Sequence, residues 1–266
     1  MHLKSLFLAA GTSLVLAACS PSGETDGATD PVSAETPPAE TTAPEADTSE
    51  DTASDAASAD KLEGASAGTY SLEPTHAFLT FTVRHNGLSE YTVNFTDFDA
   101  TMEFNPDDPT SSSIEVTIDP MALNVHLASD FKEGHPDSPY DSWPQALSRD
   151  ARFLNADEFP EITFVSTGAE KTGDYTGTVT GDLTFLGETK PVTLDVTYNG
   201  VGNQPWYGER DLIGFNAKTT INRSEFGQDS LEGIISDEVV IEFSGEFLQD
   251  EAPADAEAGS EPTEEE

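Results

Sequence analysis

The sequence predicts an all-β protein, a closed antiparallel β-barrel of about eight strands with a short helical insertion and disordered acidic ends. Three observations lead to this fold class. Most of the chain between Tyr70 and Phe247 alternates apolar with polar residues, as strands with one buried face do. The alternating stretches are joined mostly by short turns. Segments 19–60 and 250–266 are acidic and contain no aromatic residue, so they cannot bury a core of their own.

The clearest strands are predicted over residues 175–185 and 192–198. In both stretches every second residue is apolar or Gly, and most of the residues between them are Thr or Asp. Gly187 ends the first run. Pro191 cannot donate a ladder hydrogen bond, so we expect it at the start of the second strand. The two stretches therefore form a predicted β-hairpin with one apolar and one polar face.

The remaining strands are predicted from the same alternation. Between Phe95 and Phe98 the apolar positions shift by one residue, which indicates a β-bulge that bends a long strand. In chain order the other predicted strands are 76–85, the bent strand within 86–106, 114–118, 162–166, 213–221 and 239–247.

Alternation stops between Met121 and Phe159. Within this interval a short helix is predicted, with Ser142 as its N-cap, Pro144 in its first turn and its end near Asp150. The strand pattern favours a barrel, which at eight strands can be filled by side chains or hold one small ligand. A β-sandwich is the competing architecture.

The chain divides into four predicted parts. Residues 1–18 combine one early lysine with a short apolar run, which is typical of a secretory signal peptide and too short to span a bilayer. Residues 19–66 are a disordered acidic tether, 67–249 the barrel domain and 250–266 a disordered acidic tail. The net charge of −40 makes nucleic acid and anionic membrane surfaces unfavourable partners.

The single cysteine, Cys19, excludes an internal disulfide. With Leu16, Ala17 and Ala18 it resembles a bacterial lipobox, in which the cysteine is lipidated and becomes the new N-terminus. Ser20 stands where the Asp typical of inner-membrane retention would be. We therefore expect a periplasmic protein of a Gram-negative-type bacterium, anchored to the outer membrane. An ordinary signal peptide with a cysteine at its cleavage site is the alternative.

Motifs for catalysis or metal binding are not evident. The sequence has no G-x-S-x-G nucleophile elbow, and carboxylate pairs carry no signal in a chain this acidic. Beyond the signal peptide its histidines are His76, His85, His126 and His135, which form no H-x-H or H-x-x-x-H pair. The sequence therefore predicts no enzyme activity, no metal site and no cofactor.

Six segments in register carry a family resemblance. They read YSLEPTHAFLTFTVRHNGLS, SSIEVTIDP, FLNADEFPEITFVST, VTGDLTFLGETKPVTLDVTYNGVG, GFNAKTTINRSEFG and SDEVVIEF. Over about Thr69 to Leu248 they resemble the YceI-like family of bacterial periplasmic polyisoprenoid- or lipid-binding domains. The resemblance implies a lipocalin-like eight-stranded barrel with an elongated apolar interior around a polyisoprenoid chain, such as a quinone tail.

One departure concerns the ligand's head. Family members carry an Arg-Asp-x-His-Leu run shortly before the stretch matched by residues 153–164. This chain has instead the longer segment HPDSPYDSWPQALSRDARF. The resemblance therefore does not carry over the head-group specificity.

Alternation alone is compatible with a solid core, but the resemblance implies that the inward-facing residues line a tunnel. His85 continues the apolar row of its strand, so we expect it either to be a satisfied core histidine or to contact the ligand's polar head. The implied lining residues are Leu79, Phe81, Val83, Phe164, Val179, Leu183, Phe185, Leu194, Val196, Phe215, Ile221, Ile241 and Phe243.

The leading functional hypothesis is a membrane-anchored carrier or store for an isoprenoid lipid, which works by burial rather than by reaction. A ligand-free interaction or stress-protection lipoprotein with a filled core is the second hypothesis. The third, a hydrolase or metal-dependent enzyme, has no motif in its favour. The sequence leaves open the identity of the ligand and the oligomeric state.

Overall fold

Strands make up most of the protein in a computed structural model that describes residues 64–251. The predicted signal peptide, Cys19, all but the last residues of the tether and most of the acidic tail lie outside the described residues. Within this range the strands are β1 Gly68–His85, β2 Ser89–Phe95, β3 Phe98–Phe104, β4 Ser113–Ile118, β5 Leu123–Asn124, β6 Ile162–Lys171, β7 Thr176–Phe185, β8 Glu188–Asn203, β9 Asp211–Asn222 and β10 Ile235–Gln249. The α-helices are α1 Phe131–Gly134 and α2 Trp143–Arg149, and 3-10 turns cover Pro109–Ser111, Pro205–Tyr207 and Arg223–Phe226.

One antiparallel sheet closes on itself. The order of its hydrogen-bonded strands is β10, β9, β8, β7, β6, β4, β3 and β1. Strand β1 also pairs with β10, which closes the ring. β2 and β3 pair with different halves of β1 and together occupy one position in the ring, while β5 adds two residues beside β2. The predicted eight-stranded antiparallel barrel is confirmed, and the β1–β10 pairing excludes the sandwich.

The bend in the predicted long strand is a break rather than a bulge. β2 ends at Phe95 and β3 begins at Phe98, so the change of apolar parity falls in a gap between two strands. A register irregularity lies instead in β1, whose pairing with β10 shifts between Glu73 and Ala77. Both features let β1 and its neighbours curve around the barrel.

The hairpin of β7 and β8 turns at Leu186 and Gly187. Their φ angles of 50° and 78° fit a two-residue turn of the primed type, which matches the twist of paired strands. β8 begins at Glu188, so the expectation that Pro191 starts this strand is wrong. Pro191 is tolerated inside the strand because β8 pairs with β9 only from Asp195 onward.

The predicted helix is present as α2. The Ser142 hydroxyl accepts a hydrogen bond from the Gln145 backbone N–H at 3.3 Å, and Pro144 lies in the first turn. The shorter α1 was not predicted, and Asp130 caps it by accepting from the Lys132 backbone N–H. Neither helix, nor any other within residues 64–251, has the length and hydrophobicity needed to cross a bilayer.

The interior of the barrel contains two apolar clusters. One surrounds the side chains of Phe164, Leu183 and Phe185. The other, here called the aromatic plug, consists of Tyr70, Phe104, Tyr198, Phe215 and Phe247, whose neighbouring ring centroids lie 5.1 to 6.1 Å apart.

Candidate functional site

The barrel encloses a cavity of about 980 Å³ with a largely apolar wall. Strands around the whole ring supply this wall, because alternate residues of each strand face the barrel axis. Ten of the predicted lining residues lie on it: Leu79, Phe81, Val83, Phe164, Leu183, Phe185, Leu194, Ile221, Ile241 and Phe243. Contact of these residues with a ligand remains a prediction.

Three predicted lining residues lie outside the cavity wall. Phe215 belongs to the aromatic plug, where its ring lies 5.8 Å from that of Phe104. Val196 is half-buried two residues before Tyr198 of the same plug, and Val179 packs against the other apolar cluster. At Phe215 the inward direction follows the alternation, but aromatic side chains of the plug fill the barrel there.

The plug closes one end of the cavity and the mouth lies at the other. Tyr70 of the plug and His85 of the cavity wall stand near opposite ends of β1. Tyr70 and Phe247 are 0% and 1% exposed, so this end admits no solvent around them. The open end of the cavity therefore lies on the side of His85.

Aromatic residues from β2 and the helical insertion form one side of the mouth. Tyr91 lies 6.3 Å from Trp143 between ring centroids, and Trp143 lies 5.0 Å from Phe131 and 4.8 Å from His135. These four residues, here called the mouth cluster, all line the cavity. The segment that departs from the family pattern thus contributes His135 and Trp143 to this end of the cavity.

Arg223 also lines the cavity and holds the connection between β9 and β10. It is 4% exposed and donates hydrogen bonds to the backbone carbonyls of Gln228, Ser230, Ile235 and Ser236 at 2.7 to 3.2 Å. A planar guanidinium can serve several acceptors at once, so one side chain fixes the connection between β9 and β10.

Every arginine or lysine that lines the cavity, within residues 64–251, already has partners. Arg223 is bound to the four carbonyls, Arg152 lies 2.7 Å from Asp150, and Lys218 lies 2.8 Å from Glu242. The hydrogen bond from Arg152 holds the pKa of Asp150 below its usual value, so this pair stays ionic. An anionic ligand would therefore meet no unpaired arginine or lysine on this wall.

His85 lines the mouth and is exposed. The interpretation of His85 as a buried core histidine is therefore not supported. Its Nδ1 lies 3.3 Å from the Asn86 side-chain nitrogen. Contact with a head group remains a prediction for this residue.

A polar group outside the cavity joins Glu73, His76 and Glu246. His76 Nδ1 lies 2.6 Å from Glu73 Oε2 and 3.6 Å from Glu246 Oε2, and ligand-type atoms of all three lie within 4.8 Å of one another. The Thr75 hydroxyl also donates to the Glu73 carboxylate at 2.7 Å. Glu73 is thus held by hydrogen bonds from Thr75 and His76, and Glu246 lies at ion-pair distance from His76.

Sequence reasoning missed the mouth cluster. Tyr91 has the parity of Val93 and Phe95 in β2 and could have been found from that pattern. Trp143 follows the predicted N-cap of α2, but helical periodicity over seven residues does not indicate which side faces a cavity. Phe131 begins α1 and His135 is the residue that follows its end, and the sequence did not predict this helix.

Comparison with known proteins gives the same fold. The model of the YceI-like domain family matches residues 70–247. The UPF0312 protein of Pseudomonas fluorescens is 40% identical over 155 residues, which span 58% of this chain and 72% of the relative. The Campylobacter jejuni YCEI protein is 26% identical with a TM-score of 0.51, over 62% of this chain and 88% of that structure. BcnA of Burkholderia cenocepacia, at 23% identity and a TM-score of 0.51 over 67% and 99% of the two chains, shares the fold.

Proposed function

Because the chain belongs to the YceI-like domain family, we propose that its barrel binds a polyisoprenoid-type lipid and carries or stores it. The proposed activity is burial of the lipid tail, with no chemical step. The observation that carries the proposal is the apolar cavity of about 980 Å³, which is closed at one end by the plug.

The energetics of burial favour this function. Each methylene that leaves water contributes about 0.8 kcal/mol, so a long prenyl chain supplies ample affinity after the cost of ordering it. Most of the wall consists of Leu, Ile, Val and Phe side chains, which place no polar group against such a chain. A filled core, which the ligand-free alternative requires, does not fit a cavity of this size.

Solvent extraction tests the proposal. Protein purified from a quinone-producing host should yield stoichiometric isoprenoid lipid by mass spectrometry. Ala217→Phe places a ring on the cavity wall and should lower the lipid content, whereas Asn216→Phe on the exposed face of β9 should not. Wild-type protein without lipid, and without affinity for added isoprenoid after delipidation, would contradict the carrier function.

We further propose that lipidated Cys19 anchors the protein in the periplasm, at the outer membrane. Support comes from the lipobox-like sequence and from the separation of the barrel from that segment.

Both ends of the barrel domain meet at the plug end, where the Asp250 backbone N–H donates to the Thr69 carbonyl at 2.9 Å. A tether of about 45 residues, with an r.m.s. span of roughly 35–40 Å, would let the mouth turn toward a membrane. Cys19→Ala should abolish the lipid modification seen by mass spectrometry and release the protein from the membrane fraction.

A further inference from the structure

Two side-chain donors at the mouth are buried without a hydrogen-bond partner in the described structure. They are the Tyr91 hydroxyl and the Trp143 indole N–H, and both residues line the cavity. Buried polar groups of native proteins almost always have partners, and an unpaired donor costs free energy. Two such donors on rings 6.3 Å apart therefore call for an explanation.

The surrounding residues do not supply one. Trp143 meets the rings of Phe131 and His135 nearly at right angles, with interplanar angles of 77° and 79°. Contacts of this kind are at most weak substitutes for a hydrogen bond to an oxygen or nitrogen acceptor. Neither donor atom is open to solvent in this conformation.

We propose that Tyr91 and Trp143 form a head-group subsite, which donates hydrogen bonds to an uncharged oxygen acceptor of the bound lipid. The inference rests on the proposed function. It concerns the head group of the lipid, whereas the apolar wall contacts the tail. The rings of the mouth cluster must separate slightly for a head group to reach the two donors. The acceptor then replaces the missing partners, and the tail extends toward the plug.

The electrostatics of the wall favour an uncharged head over a phosphate. The arginine and lysine side chains on the wall are engaged by carbonyls or carboxylates, and the protein as a whole is strongly acidic. A buried phosphate without a free cation would pay a large desolvation cost. Burial raises the pKa of Tyr91 to about 12, so its hydroxyl remains a donor at physiological pH.

The test compares three probes on the delipidated full-length protein. Menaquinone-4 carries quinone carbonyls, geranylgeranyl phosphate carries a charged head on a tail of similar length, and squalene carries no head. Affinities are measured by partition from detergent micelles, with mass spectrometry as the readout. Wild-type protein should bind menaquinone-4 more tightly than either of the other probes.

Tyr91→Phe and Trp143→Phe should each weaken menaquinone-4 binding about two- to tenfold, as the loss of one hydrogen bond predicts, and leave squalene binding unchanged. The matched controls Tyr207→Phe and Trp206→Phe, outside the cavity wall, should change neither affinity. Equal losses for menaquinone-4 and squalene, no loss at all, or tight binding of the phosphate would overturn the subsite. Failure of wild-type protein to bind any probe would instead overturn the proposed function.

Discussion

The phenyl ring of Phe164 lies over Gly181 on the neighbouring strand. A Cβ atom at position 181 would stand 2.4 Å from Phe164 Cζ and 2.6 Å from the Val165 carbonyl oxygen. The carbonyl belongs to the backbone and cannot easily move, whereas the Phe164 ring, which lines the cavity, can shift.

Gly181→Ala is therefore expected to destabilise the barrel by about 1–3 kcal/mol and to reduce the space for a ligand. Gly168→Ala, on the adjacent strand β6, is the matched control because its Cβ would meet nothing within 4 Å. Chemical denaturation of both variants checks the prediction. Equal stabilities of the two variants would show that the Phe164 ring can shift without a loss of stability.

Side-chain truncation to Ala should change the free energy of unfolding differently at the two ends of the barrel. Phe215→Ala removes a ring from the packed plug and should cost about 3–5 kcal/mol, with little effect on lipid content. Leu183→Ala enlarges a cavity that already exists, so its cost should fall below the usual 2–5 kcal/mol while lipid retention changes. Unfolding of delipidated protein and extraction of bound lipid give the two readouts. Similar core-sized costs at both positions, with unchanged lipid, would contradict the placement of the cavity.

Arg223 should be the most sensitive charged residue of the cavity wall. Arg223→Met keeps the apolar stem but removes the donor from four partly buried hydrogen bonds to carbonyls, so we expect a loss of at least about 2 kcal/mol. Lys218→Met, which removes an exposed pair with Glu242, should cost at most about 1 kcal/mol. Denaturant midpoints of the two variants measure both losses of stability. A cost at Arg223 as small as that at Lys218 would mean that the carbonyls find other partners.

Glu73 should contribute to the acid sensitivity of the fold. Its burial, the largest single effect, raises its pKa, but hydrogen bonds from Thr75 and His76 outweigh burial and leave the pKa below its ordinary value. A lowered pKa in the folded state stabilises the protein above the ordinary value of 4.5, and this stability is lost as the pH falls through the folded value. Stability curves from about pH 6 to pH 3 should therefore fall more steeply for wild type than for Glu73→Gln. Parallel curves would contradict this role.

The N-terminal boundary of the domain should lie before β1. The Ser66 backbone N–H donates to the Asp211 carboxylate at 2.8 Å, and the Ser66 carbonyl accepts from the Tyr70 hydroxyl at 2.7 Å. Tyr70 and Asp211 are 0% and 5% exposed. A chain of residues 68–250 should still fold but be about 1–3 kcal/mol less stable than one of residues 64–251. Thermal unfolding compares the stabilities of the two chains. Equal stabilities would show that the hydrogen bonds of Ser66 do not stabilise the fold.

The strands and their inward faces could be predicted because alternation reports directly which side of a strand is buried. The same signal cannot tell a packed interior from a hollow one. Phe215 and Phe243 have equivalent patterns, yet one belongs to the plug and the other to the cavity wall. Whether the interior is filled depends on which side chains meet across the barrel. These side chains come from strands that are far apart in the sequence, so no local pattern reports them.

The mouth could be predicted only in part. The N-cap at Ser142 located α2 because capping is a local interaction between neighbouring residues. The contact of Trp143 with Tyr91 joins a helix to a strand far away in sequence, and no periodic pattern encodes it. The role of Arg223 was missed for the same reason, since its acceptors are backbone carbonyls that any sequence would provide.

The pairing of β1 with β10 ties folding of the barrel to its last strand. Tyr70 pairs with Gln249, so the ring closes only after nearly the whole domain is available. Hairpins such as β7–β8 can form early, but the open sheet then exposes two unpaired edges and its apolar inner face. Closure over so long a separation is slow, which leaves time for contact between incomplete chains.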